Sequence, residues 1–221
     1  MDQKNAVIFD LDGTLLNTLN DLTDSLNYAL RCNGFCDKTP TEVKGYMGNG
    51  VSRLVESSIV EGCQNPLFEK CISDFQKHYI GNMQNTTQPY QGIEPLIRQL
   101  FICGFRLAVV SNKPDKAVKQ LIQKWFGSFI NVAIGESNGR PKKPDPTMIH
   151  MAIEKLGTKT DCTIYVGDSE IDIQTAMNAR IPFIGVTWGF RDRLVLINNG
   201  ASTIADTPYD LANLLLYGLE N

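Results

Sequence analysis

Four apolar residues in a row, Ala6-Val7-Ile8-Phe9, run straight into Asp10-Leu11-Asp12-Gly13-Thr14. A short continuous apolar run bounded by a turn signal reads as a buried strand. Two carboxylates, one leucine apart, therefore sit where that strand ends. In an open α/β sheet, ligands bind outside the carboxyl ends of the strands. Gly13 lets the backbone turn close to a ligand, and Thr14 adds a hydroxyl. An anionic pair there repels phosphate unless a cation stands between them, so the motif implies a hard divalent metal as well as a substrate. Asp-Gly alone is also ordinary turn chemistry, and residues further along decide between the two readings.

After Thr18 the pattern turns helical. Leu22, Leu26, Ala29 and Leu30 share a helix face, and Phe68, Ile72, Phe75 and Tyr79 another. From Pro89 onward strands and helices alternate. The spacing predicts helices at 93–102, from Pro114 to about Trp125, at 145–156 and at 171–179, with strands at 106–110, 129–134, 163–166 and 182–186. Such alternation predicts an α/β fold, a mostly parallel sheet with helices on both faces. Residues 17–88 interrupt it after the first strand. They read as an inserted small all-helical cap domain, with residues 1–16 and 89–221 as the catalytic core.

Three more strand ends carry chemistry. Val109-Val110-Ser111-Asn112-Lys113-Pro114 leaves a hydroxyl at a helix start, where free backbone N–H groups favour a phosphate oxygen; a simple N-cap is the alternative. Lys143 lies in a loop stiffened by Pro141, Pro144 and Pro146, where it would neutralise a phosphoryl group and its carboxylate acceptor. Tyr165-Val166-Gly167-Asp168 again ends a strand in an acid, with Asp172 one helical turn on. Asp168 is placed as a metal ligand, and Asp172 to orient that ligand, a bound water or Lys143. Each feature alone has an ordinary structural explanation, but those explanations would have to succeed independently four times.

Composition narrows the rest. A net charge of −3 gives no basic footprint, which argues against a nucleic-acid partner. No apolar run is long enough to span a membrane, and Met1-Asp2-Gln3-Lys4-Asn5 is no signal peptide, so a cytoplasmic protein is expected. The six cysteines fit neither a zinc site nor a disulfide framework and read as free thiols. No pattern speaks to oligomeric state.

The order Asp10-x-Asp12-Gly13-Thr14, Ser111, Lys143 and Gly167-Asp168-x3-Asp172 resembles the haloacid-dehalogenase-like superfamily of phosphotransferases. Within it the chain is most similar to the phosphoglycolate phosphatase group, through Met47-Gly48-Asn49-Gly50, Ser111-Asn112-Lys113-Pro114, Lys142-Lys143-Pro144-Asp145-Pro146 and Gly185-Val186-Thr187-Trp188-Gly189. The resemblance implies a Rossmann-like core, Mg²⁺ as cofactor and a small phosphorylated metabolite, first of all phosphoglycolate, as substrate. It implies Asp10 as nucleophile and Asp12 as general acid and then base. Mg²⁺ would be held by Asp10, the backbone carbonyl of Asp12, and Asp168. Gly13, Thr14, Ser111, Asn112 and Lys143 would meet the phosphate.

In the cap, Gly48-Asn49-Gly50 reads as a close-approaching substrate contact or as a plain interhelical turn. Arg53 reads as a partner for a substrate carboxylate or as an exposed helix arginine. Two residues depart from the group: Asn17 stands where an aspartate is common, and Trp188 where tyrosine is expected. Both bear on the substrate rather than on the phosphoryl chemistry. A phosphosugar mutase is the nearest rival. A receiver-type phospho-acceptor module fits less well, because it has neither the Asp-x-Asp pair nor a large insertion after the first strand. A dehalogenase would have no use for Asp12 or a metal.

Overall fold

The computed structural model of the chain describes residues 5–218. The stretch Met1–Lys4, part of the start expected to hold no signal peptide, lies outside the described residues, as do residues 219–221. A six-stranded sheet organises the larger part of the molecule. Its strands are β1 (Ala6–Phe9), β2 (Arg106–Pro114), β3 (Val132–Glu136), β4 (Thr163–Gly167), β5 (Phe183–Val186) and β6 (Ile204–Ala205). They lie in the order β3-β2-β1-β4-β5-β6, and each neighbouring pair is parallel.

The apolar run at the start of the chain has its explanation here. β1 is central, with Val7 opposite Leu107 on one side and Ile164 on the other. All four of its residues are fully buried. A strand paired on both edges and covered on both faces has no position that can face water, so its sequence must be apolar throughout. On one face Ile8, Ala108, Val110, Ile134 and Tyr165 pack against Met148, Ile149 and Ala152 of α7 (Thr147–Leu156) and Ala176 and Ala179 of α8 (Glu170–Ala179). Burying a side chain such as Ile8 contributes about 1.5–3 kcal/mol.

From β1 the chain builds β2 and β3 to one side, then crosses to β4 on the other. That reversal is a topological switch point, and it leaves the carboxyl ends of β1, β2 and β4 side by side. Residues 10, 111 and 168 become neighbours for this reason.

The largest differences between the sequence expectations and the structure lie around β2 and the helix after it, at β3 and at α7. β2 continues to Pro114, past the apolar stretch, and α6 spans Asp115–Phe126 rather than opening at Pro114. Ser111, Asn112 and Lys113 are polar yet buried, and the register against β3 shifts between Val110 and Pro114. Tertiary partners, described below, hold them extended. β3 begins at Val132 because the N–H groups of Phe129 and Ile130 still donate to the Phe126 carbonyl, closing α6. α7 begins at Thr147 because the Asp145 carboxylate accepts from the Thr147 N–H and holds a turn there. Beyond Val186 lie α9 (Arg193–Asn198), β6 and α10 (Pro208–Tyr217), for which no expectation was formed.

The chain divides into two compact units, Asn17–Gln88 and the remainder. The smaller unit carries α1 (Leu19–Cys32), α2 (Pro40–Tyr46), α3 (Val51–Glu56) and α4 (Phe68–Asn82). Leu22, Leu26, Ala29 and Leu30 of α1 and Cys71, Phe75 and Tyr79 of α4 are buried. Thr39 and Glu42 form a reciprocal capping box at the start of α2. The buried Asp21 carboxylate accepts from the Thr86 N–H at 2.9 Å, the Thr86 hydroxyl at 2.6 Å and the Thr87 N–H at 3.0 Å, tying the last residues of this unit to its first helix. All six cysteines are free thiols. No described helix is long and apolar enough to cross a membrane.

Candidate active site

Asp10 follows β1 directly, and its N–H donates to the Val166 carbonyl at 2.8 Å, so the chain stays in the sheet up to the carboxylate. The next residues close a tight turn: the Leu15 and Leu16 N–H groups donate to the Leu11 carbonyl, and the Gly13 N–H to the Leu16 carbonyl, each at 3.0 Å. Gly13 has φ 86, and a Cβ there would lie 2.4 Å from Asp168 Oδ2. Only glycine satisfies both the dihedral and the space.

Lys143 is buried at the centre of this cluster. Its Nζ donates to Asp10 Oδ1 at 2.8 Å, Asp172 Oδ1 at 2.7 Å and Tyr165 Oη at 2.9 Å. An ammonium has three protons, and all three are used. Asn112 holds the lysine from behind: its Nδ2 donates to the Lys143 carbonyl at 3.0 Å, and its Oδ1 accepts from the Lys143 N–H at 2.7 Å. Both ends of this amide, which the resemblance places at the phosphate, engage the Lys143 backbone. Ser111 is buried at the end of the apolar part of β2, and its Oγ accepts from the Lys113 N–H at 3.2 Å.

The other carboxylates are also held. Asp12 receives Lys113 Nζ on both oxygens, at 2.7 and 2.9 Å. Asp168 accepts from the Thr14 hydroxyl at 2.9 Å and the Phe190 N–H at 2.7 Å. Asp172 accepts on Oδ1 from Lys143 and the Tyr165 hydroxyl, and on Oδ2 from the Ser169 N–H and hydroxyl. Four donors saturate it, so it is suited to holding Lys143.

Charge counting then becomes informative. Ligand atoms of Asp10, Asp168 and Asp172 lie within 4.8 Å of one another, all in buried residues. Lys143 pairs with two of them, Asp10 and Asp172, while Asp12 pairs with Lys113. Burial pushes the Asp10 carboxyl up to about 7, with Lys143 opposing and Asp172 and Asp12 reinforcing the shift. Burial also drives Asp168 well above the usual carboxylate range, helped by Asp172 and Asp10. For Lys143, burial works against the charge, but Asp10 and Asp172 outweigh it and raise its pKa. Buried carboxylates that desolvation and mutual repulsion hold toward the protonated form, with an all-oxygen donor set, fit a hard divalent cation that would take the place of those protons. Asp10 and Asp168 are the members of the set that four protein donors do not already saturate.

Gly48, Asn49, Gly50 and Arg53 belong to the other compact unit. Gly48 and Gly50 have φ 115 and 81, in a turn that leads into α3. Arg53 is an exposed helix residue paired with Glu56 at 2.9 Å. Asn17 Oδ1 accepts from the Leu19 N–H at 3.4 Å, at the start of α1. Trp188, by contrast, reaches the first motif, its indole N–H donating to the Thr14 carbonyl at 2.9 Å. Sequence reasoning assigned no role to Lys113 or Tyr165. Lys113 carried one signal, a lysine two residues after a strand-end serine. Tyr165 carried none, since an aromatic residue in a strand reads as core.

The family model described as haloacid dehalogenase-like hydrolase matches residues 7–186. The chain belongs to this family, and it is a phosphatase. Among curated proteins it is 34% identical to the phosphoglycolate phosphatase of Agrobacterium fabrum, over 84% of this chain and 81% of that one. It is 32% identical to that of Cereibacter sphaeroides, over 96% and 99%. Among solved structures, a provisionally assigned phosphoglycolate phosphatase from Lactobacillus delbrueckii subsp. bulgaricus superposes with a TM-score of 0.91 at 35% identity, over 97% of this chain and 99% of that one.

Proposed function

We propose that the chain is a Mg²⁺-dependent phosphate-monoester hydrolase that works through an aspartyl-phosphate on Asp10, with a small phosphorylated acid, phosphoglycolate first, as substrate. The observation that carries this is the buried Asp10–Lys143–Asp172 chain beside Asp168, a negative cluster built at a sheet switch point. Mg²⁺, held by Asp10, Asp168 and the Asp12 carbonyl, would supply the positive charge that lets a phosphate approach these carboxylates.

An Asp10 oxygen attacks phosphorus, the phosphorus–ester oxygen bond breaks, and the leaving oxygen takes a proton from Asp12. Water then attacks the aspartyl-phosphate, giving its proton back to Asp12 and releasing phosphate and free Asp10. Lys143 and Ser111 meet the charge that spreads over the phosphoryl oxygens. Asp172 and Tyr165 hold Lys143 from two sides, so that only the proton now on Asp10 turns to a phosphoryl oxygen. Asn112 sets the lysine backbone. The 17–88 unit is assigned the role of cap, with Gly48-Asn49-Gly50 and Arg53 contributing substrate selection.

Asp10→Asn tests the chemistry. It should retain its fold and lose at least ~10³-fold in kcat; near-normal turnover would refute the nucleophile. The substrate is tested by kcat/KM for phosphoglycolate against hexose phosphates, nucleoside monophosphates and pyrophosphate. A tenfold win by any of these, about 1.4 kcal/mol of transition-state preference, removes phosphoglycolate and leaves the phosphatase standing. Isomerisation of a hexose 1-phosphate in place of phosphate release would mark a mutase.

A further inference from the structure

We propose that Trp188-Gly189-Phe190, the loop leaving β5, is a clamp that positions Asp168 for the metal, with Trp188 as its positioning residue. The inference rests on the assignment of Asp168 to Mg²⁺. Both oxygens of the Asp168 carboxylate are held, each by a different segment of chain. Oδ2 takes the Phe190 N–H at 2.7 Å, directly from the loop. Oδ1 takes the Thr14 hydroxyl at 2.9 Å. The loop controls this second bond too, because the Trp188 indole N–H donates to the Thr14 carbonyl at 2.9 Å. One loop thus fixes one oxygen itself and the other through Thr14.

The packing at this point leaves no slack. A Cβ on Gly189 would stand 2.3 Å from the Gly13 carbonyl oxygen and 2.4 Å from Asp168 Oδ2. A Cβ on Gly13 would stand 2.4 Å from the same Asp168 oxygen. Three segments distant in sequence meet around one carboxylate, and the two residues that press closest on it, Gly13 and Gly189, carry no side chain. Glycine at both positions allows the backbones close enough for the Phe190 N–H to reach the carboxylate. A carboxylate offers its remaining lone pairs to a cation only in directions its other bonds permit, which is how outer partners tune metal affinity. Phenylalanine at 188 would fill most of the indole's space but donate nothing to Thr14.

Mg²⁺ titrated calorimetrically into the full chain, without substrate, tests this. Trp188→Phe should weaken Mg²⁺ binding about tenfold, the lower end of the range for outer partners. The Mg²⁺ concentration for half-maximal activity should rise by the same factor, with kcat at saturating Mg²⁺ and KM for substrate unchanged. Gly189→Ala should weaken binding further, since Gly13 or Asp168 must move; if that variant does not fold, Trp188→Phe decides alone. Asp168→Ala separates the two levels of inference. If it binds Mg²⁺ like the parent, the assignment of Asp168 is wrong. If it loses binding while Trp188→Phe keeps the parental Kd, the clamp is overturned. A Trp188→Phe protein that is merely less stable, with lower kcat at every Mg²⁺ concentration and an unchanged Kd, overturns it equally.

Discussion

Removing one hydroxyl tests how firmly the central lysine is held. Tyr165→Phe keeps the ring, which packs with Ile8, Ala108 and Ala176, and deletes Oη. Two bonds go with it: the one to Asp172 Oδ1 at 2.7 Å and the one from Lys143 Nζ at 2.9 Å. Each involves a charged partner and is worth about 1.5–3 kcal/mol. The losses do not simply add. Asp172 keeps three donors, from Lys143 and Ser169, so most of its share is retained. Lys143 fares worse, because a buried N–H is left without an acceptor, at about 1–3 kcal/mol. A total near 2–4 kcal/mol should lower the melting temperature by roughly 4–16 °C for a unit of this size. If about 1–2 kcal/mol of that restraint acts in the transition state, kcat falls about 5–30-fold. Thermal melts and steady-state rates at saturating Mg²⁺ measure both. A melting temperature within about 1 °C of the parent, with unchanged kcat, would mean that the hydroxyl bonds carry no weight and that Lys143 is held by charge alone.

The pH dependence of metal binding has a definite sign. Asp10 is raised to about 7 and Asp168 is raised as well, so the cation-free site holds protons that Mg²⁺ must displace. Mg²⁺ affinity should weaken by up to about tenfold per pH unit and displaced proton as pH falls below 7, and a Kd that is flat from pH 8 to 6 contradicts it. Without metal the trend reverses, since the folded state binds more protons than the unfolded one between the two Asp10 values. Its stabilising share is full below 3.8 and lost as pH rises through about 7, which melts in EDTA will show. Lys113→Met leaves Asp12 unpaired at a side-chain exposure of 13%. Breaking such a pair costs about 3–5 kcal/mol, and kcat should drop at least ~10-fold; normal turnover would detach Lys113 from the acid–base step.

What could be read in advance follows from which interactions are local. β1 announces itself because a strand paired on both edges must be apolar throughout. Asp10, Asp12 and Asp168 announce themselves because acids recur at the ends of such strands, where the ordinary turn and cap explanations would each have to hold independently. The partners of those acids were harder to see. Lys113 pairs with Asp12 across 101 residues, and Tyr165 bridges Lys143 and Asp172 by a geometry that no periodicity encodes. Asn112 looked like part of a helix start because Pro114 follows it. Its pairing with the Lys143 backbone exists only once β2 and the loop before α7 are in place. Trp188 stood out only as a departure bearing on the substrate, whereas its bond to Thr14, in the first motif, spans 174 residues.

The central position of β1 also sets a schedule for a nascent chain. Ala6–Phe9 leaves the ribosome first, yet its two edges are paired only by residues 106–109 and 163–166. At roughly 5–20 residues per second of synthesis, the second edge waits on the order of 8–30 s. Through that interval four water-averse residues stand with at least one open edge, an invitation to pair with a neighbouring polypeptide. The same strand that aims Asp10 into the finished enzyme is thus its most exposed liability during birth, and recombinant yield should follow how well the host shields that one short segment.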